Sequence, residues 1–148
     1  MMDTGHPDIN DLIIEHMADA MIYSNSQGTI EAWNPAAEAL FGYRSDEAVG
    51  QRLDLIIPEH LREAHWTGFN RAMASGSTKN GGRAAITRSL TKTRGTIYVE
   101  MSFAVVADRE GHAIGSVAVA RDATQRHQNE REQRERLKAL EELQSRAP

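Results

Sequence analysis

The sequence predicts an α+β domain: five antiparallel strands in one sheet, short helices on one face, a helix in front and a helix behind. Three observations predict it. Residues 83 to 121 hold three alternating runs separated only by the turns KTRG and DREGH, the spacing of a strand meander. Residues 34 to 76 hold helical segments closed by Gly42, Gly50 and Gly76, the residue type that ends helices in a left-handed turn. After Asp122 the composition changes to a tail with no glycine and no Phe, Trp or Tyr, rich in helix formers.

The elements follow in order. Asp8 to Met17 carries Ile9, Leu12, Ile13 and Met17 at helical spacing behind a Pro and an Asp that can start a helix. Ala20 to Ser24 and Thr29 to Trp33 read as strands around the turn NSQG. Asn34 can cap a helix with Pro35 at its first position, and Ser45 can cap another, SDEAVG. LDLIIPEH leads into a longer helix from about Glu59 to Ala74. Strands are expected over Arg83 to Thr91, Thr96 to Ala107 and Ala113 to Arg121. The expected organisation is an N-terminal helical cap over 1–18, the domain proper over 19–122, and a C-terminal helix over 123–148. In that tail the large apolar residues are Leu137, Leu140 and Leu143, too few for a self-sufficient zipper but enough to open a coiled coil.

Composition excludes several classes of function. The 148 residues hold 17 Lys plus Arg against 21 Asp plus Glu, a net charge of −4 with no basic field for nucleic acid. No apolar run is long enough for a membrane span, and the first residues do not read as a secretory leader, so a cytoplasmic protein is expected. Zero cysteines exclude disulfides, thiolate-bound zinc, a thiol nucleophile and a cysteinyl adduct with a chromophore. Paired carboxylates, a Gly-rich phosphate loop and a nucleophile motif are not evident, so an enzyme is not expected.

The stretch WNPAAEALFGYRSDEAVG and the closing ARDATQR, in this order of elements, resemble the PAS sensor family over about Ala18 to Arg126. The resemblance implies a PAS fold with a C-terminal signalling helix. By itself it leaves the ligand open, since this fold hosts many functions. IIPEHLREAHWTGFNRAM, residues 56 to 73, resembles the corresponding helix of the haem-binding oxygen-sensor PAS domains, those of FixL-type kinases and the direct oxygen sensor phosphodiesterase. There this helix carries the proximal histidine of a haem b iron, and the match places that role on His65.

The residues supply an independent test. At 3.6 residues per turn, Leu61, His65, Phe69 and Met73 share one stripe, with the small Ala64, Gly68 and Ala72 beside it. His60 falls with Glu63, Thr67 and Arg71 on a polar face. An inward neutral imidazole suits a haem iron that keeps its second axial side for a gas. It equally suits a core histidine bonded to a backbone carbonyl. On the strand from Arg83, alternation groups Ala84, Ile86, Arg88 and Leu90, and this more apolar set is expected to face the core with Arg88 inward. In the oxygen-sensing families an Arg on this strand donates to bound oxygen or meets a propionate; an edge Arg that reaches solvent, or one paired with Glu100, is the alternative. Counting back from Gly95 by the family's offset reaches Ile86 instead, a two-residue difference that keeps the face. Met101 and Phe103 match apolar distal positions, and Val117 and Val119 are expected to join them; Met101 is a sixth-ligand candidate or core filling. Arg71 resembles a position that reaches a propionate, or is a surface Arg.

The sequence therefore points to a haem-based sensor of a diatomic gas, oxygen first and CO or NO as alternatives, acting as a homodimer and signalling through its C-terminal helix to an output domain or partner. A cofactor-free interaction module and a flavin redox sensor are the competing readings.

Overall fold

The computed structural model describes residues 7–79 and 81–146. Strands β1 (Ala20–Asn25), β2 (Ile30–Trp33), β3 (Ala85–Leu90), β4 (Thr96–Ala107) and β5 (Ala113–Asp122) form one antiparallel sheet in the order β2-β1-β5-β4-β3. Helices α1 (Ile9–His16), α2 (Pro35–Phe41), α3 (Ser45–Ala48), α4 (Glu59–Ser75) and α5 (Thr124–Ser145) complete it, with a 3-10 turn at Leu53–Ile56. The predicted architecture is present. His6 lies outside the described residues.

Local chemistry sets the boundaries. Asn34 caps α2 through its side-chain oxygen, which accepts from Ala37 N at 3.0 Å and also from Met21 N at 2.8 Å. Its amide donates to the carbonyls of Ile14 and Asp19, so one side chain ties α1, β1 and α2 together. Gly42 and Gly76 end α2 and α4 at φ of 83° and 74°, a region that side chains other than glycine's adopt at a cost. Ser45 is the first residue of α3 and Arg44 takes the cap position, one residue before the expected cap.

Register decides what faces the helices. Ile22 pairs with Trp33 and Ala118, Ala118 with Phe103, and Met101 with Ala120 and Ala85. These positions form the inner face, where the sheet meets Phe41, Leu53, Ile56 and Phe69 in the core. Trp33 and Phe41 pack at 5.4 Å between ring centroids, and the Trp33 indole donates to Tyr43 O at 2.9 Å.

The inner face corrects two expectations. On β5 it carries Ser116, Ala118 and Ala120, so Val117 and Val119 lie on the outer face, paired with Tyr23 and Met21. Small residues on the inner face of this central strand leave room above it: Ser116 borders the first and Ala118 the second of two cavities under α4. On β3 the inner face is the more polar set: Ala85, Thr87 and Ser89 pair with Met101, Val99 and Ile97. Ser89 is buried without penalty because its hydroxyl donates to Ile56 O at 2.8 Å. Arg88 and Leu90 therefore face outward, beside Tyr98 and Thr96.

Candidate cofactor-binding site

Helix α4 crosses the inner face over β3, β4 and β5 and leaves two adjoining cavities, of about 430 and 330 Å³. Both are of ligand-binding size. His65, Ala64, Thr87, Met101 and Phe103 line both. Phe69 and Met73 line the first and Leu61 the second, so the predicted stripe of α4 is the wall of the site. A Cβ built on Gly68 would meet nothing within 4 Å, which leaves the helix open to a flat occupant there. His60 is exposed, on the polar side as expected.

His65 sits among aromatic rings, 4.8 Å from Trp66 edge-on and 6.0 Å from Phe69 stacked. Its Nδ1 is buried and has no hydrogen-bond partner among the described residues. Leaving a buried polar atom unpaired costs about 1–3 kcal/mol. Burial holds the His65 pKa below the ordinary histidine value, and the nearby Asp54 carboxylate opposes this in part. The imidazole is therefore neutral near pH 7, the protonation state in which a histidine serves as a metal ligand.

Asp54 Oδ1 accepts from the Trp66 indole at 2.7 Å, and the Arg52 guanidinium lies 4.3 Å from the Trp66 ring centroid. The Trp66 ring occupies the space where any side chain at Gly28 would begin: a Cβ there would stand 2.2 Å from it. Trp66 thus pins α4 to the β1–β2 turn and to the 3-10 turn, and the one carboxylate acting on His65 is bonded to the indole.

The remaining predicted residues divide. Met101 is buried and Phe103 partly exposed, both on the inner face of β4. Ile86 borders the first cavity. Arg88 borders the second, but its guanidinium carbon lies over the Tyr98 ring, 5.6 Å from the centroid, on the outer face; the expected inward Arg is not found. Leu90, Val117, Val119 and Arg71 line neither cavity, and Arg71 is exposed on α4.

The family model described as the PAS fold matches residues 14–128. This chain belongs to the PAS fold family. It is 31% identical over 137 residues to the signal transduction histidine-protein kinase AtoS of Escherichia coli, which covers 91% of this chain and 21% of that protein. Sensor protein FixL of Bradyrhizobium diazoefficiens is 37% identical over 59 residues, 40% of this chain and 12% of that one. Oxygen sensor protein DosP of Escherichia coli is 44% identical over 41 residues, 28% of this chain and 5% of that one. The chain thus spans 21% or less of the length of each of these relatives. Among solved structures, the PAS domain of a Colwellia psychrerythraea protein has TM-score 0.69 at 22% identity, covering 80% of this chain and 99% of that one. An RNA-binding light-oxygen-voltage receptor has TM-score 0.72 at 19% identity, covering 99% of this chain and 42% of that one. These structures share the fold.

In this PAS domain the sequence reading missed Thr87, Lys79 and Arg83, all of which border the first cavity. Lys79 and Arg83 stand on either side of the NGG segment between α4 and β3, and place two cations at the rim. The signal was present: cations flanking a glycine pair just after the helix that bears the candidate ligand. No helix among the described residues is long and apolar enough to cross a membrane.

Proposed function

We propose that this PAS domain is a cytoplasmic haem-binding gas sensor, with His65 as the iron ligand, oxygen as the first candidate gas and a homodimer as the working form. One observation carries the reading: an aromatic-packed imidazole, lowered in pKa and lining both cavities, has a buried nitrogen without a hydrogen-bond partner among the described residues. The remaining lining agrees. Phe69, Met101 and Phe103 give apolar walls, the open side of Gly68 gives room, and Lys79 and Arg83 give rim cations for carboxylates. DosP, in name an oxygen sensor, is among the relatives, 44% identical over 41 residues, which supports the same choice.

A haem there would be held through His65 and would supply the iron chemistry that binds a diatomic gas. The chain's own residues do the rest. His65 offers a neutral nitrogen held in aim by Trp66. Met101 and Phe103 exclude water from the apolar side. Thr87, on the inner face and bordering both cavities, is the polar side chain placed to meet a gas ligand in the position the sequence assigned to Arg88. The readout is a change in β4 and β5 that reaches α5 and through it a partner copy or output protein.

The absorption spectrum of the purified protein, reduced, with and without oxygen and carbon monoxide, tests this. A Soret band that shifts with gas is expected, lost in His65→Ala and kept in His60→Ala. Flavin absorption would replace the reading with a flavin sensor. Colourless protein that takes up no added haem would replace it with a cofactor-free interaction module.

A further inference from the structure

Helix α5 is gripped by very few residues. From Gln128 to Arg146 its residues are all exposed, so its attachment to the domain is confined to the first turn. Thr124 accepts from Tyr98 N at 3.2 Å, Ala123 N donates to Tyr98 O at 2.8 Å, and Arg126 pairs with Glu100 at 2.9 Å. The His127 ring stacks on the Tyr98 ring at 3.8 Å between centroids and 18° between planes. Tyr98 is thus the hub of the attachment. The side chain beside it on β3 is Arg88, its cross-strand partner, with the guanidinium carbon 5.6 Å from the same ring centroid.

We infer that Arg88 is a positioning residue for the exit of α5. It holds the Tyr98 ring in the orientation on which His127 stacks, and so sets the angle at which the helix leaves the sheet. The inference goes beyond the proposed function and holds whatever occupies the cavities. It gives an outward Arg on an edge strand a task that its expected inward face did not supply. Its place is also apt for coupling, because the inner neighbours of Arg88 on β3 are Thr87 and Ser89, and Thr87 borders both cavities.

Amide hydrogen exchange on the full chain without added ligand tests it. Removing a cation from an exposed aromatic ring is expected to speed exchange at amides 127–131 about two- to five-fold in Arg88→Ala. Exchange in β1 and α2 should stay at the wild-type rate. Arg88→Lys, which keeps a cation over the ring, should recover at least half of the effect. Tyr98→Phe should match wild type, because the ring and the backbone bonds remain. Equal acceleration in β1 and α5 would mean general loosening and would overturn the inference. Unchanged exchange in α5 would overturn it as well. The haem spectrum of Arg88→Ala separates the two proposals: loss of haem with unchanged exchange in α5 returns Arg88 to the cofactor site, whereas a normal spectrum with faster exchange keeps it at α5.

Discussion

Replacing His65 with phenylalanine should make the protein without ligand more stable while abolishing haem binding. The substitution keeps an aromatic ring against Trp66 and Phe69, whose centroids stand 4.8 and 6.0 Å from the imidazole. It removes the buried Nδ1 that has no partner. Relief of an unsatisfied buried polar atom is worth about 1–3 kcal/mol. The extra volume of the phenyl ring can extend into cavities of about 430 and 330 Å³, so overpacking does not offset the gain. At a urea m-value of about 2 kcal/mol/M, a gain of about 2 kcal/mol moves the midpoint up by about 1 M. In a heat scan each kcal/mol should add about 2–4 °C. Urea titration of both proteins without haem, at neutral pH, is the assay. A fall in stability of about 1 kcal/mol or more would refute the reasoning. It would show that the imidazole is satisfied within the fold and serves packing. A residue retained at a cost to stability is the mark of a functional site.

Three further outcomes follow from the same geometry. The His65 pKa is lowered by burial, so in the range between its lowered value and about 6.5 the unfolded chain binds a proton that the native state refuses. Stability should therefore fall as pH drops through about 6.5 and level off below the lowered value, with a slope of at most about 1.4 kcal/mol per pH unit that His65→Phe lacks; equal slopes in both proteins would assign the titration to another group. Trp66→Phe should cost about 2 kcal/mol in urea titration, since it deletes the indole bond to the Asp54 carboxylate and weakens the Arg52 contact, and a cost under about 0.5 kcal/mol would refute the pinning role. Leu140→Glu puts a carboxylate beside Leu137 and Leu143 on the exposed face of α5 and should lower self-association in sedimentation; unchanged sedimentation would move the interface to the exposed Ile9 and Ile13 of α1.

The faces of α4 and β4 that line the site were legible and those of β3 and β5 were not, for a physical reason. A 17-residue helix repeats its inward face about five times, so one reading of Leu61, His65, Phe69 and Met73 fixes its rotation. A strand of six residues has only two phases, and hydrophobicity is the usual arbiter. On β3 the arbiter pointed the wrong way. Ile86 and Leu90 are the apolar set, but Ser89 answers its own burial with a bond to Ile56 O, and Thr91 answers with Gly95 O at 3.0 Å. A better arbiter lay in the turn. The inner face of β4 is unambiguous in Ile97, Val99 and Met101, and folding the KTRG turn back places Ser89 beside Ile97. Pairing across that hairpin therefore fixes the phase of β3 without reference to hydrophobicity. On β5, Val117 and Val119 outrank alanine in any hydrophobic ranking, yet Ala118 and Ala120 take the inner face, and Ala118 borders the second cavity, where a larger side chain would take up its space. The cap at Asn34 was legible from the NP pair alone, but its bonds to Met21, Ile14 and Asp19 join distant segments that no local pattern announces.

The alternation of β4 gives this site a route outward. Along four consecutive residues, Tyr98 and Glu100 face out and hold the first turn of α5, while Val99 and Met101 face in, and Met101 borders both cavities. Side chains on opposite faces of one strand share a backbone, so a displacement of the β4 backbone at Met101 is passed to Tyr98 and Glu100. The grip itself is weak enough to respond: one exposed ion pair worth at most about 1 kcal/mol, and one ring stack and a few hydrogen bonds, each worth about 0.5–1.5 kcal/mol. A helix held by so little can change its exit angle for a few kcal/mol, within what differential binding of a small ligand supplies. The buried core around Phe41 and Ile22 has no such freedom, so under the proposed sensing role a response would run along β4 and β5 into α5.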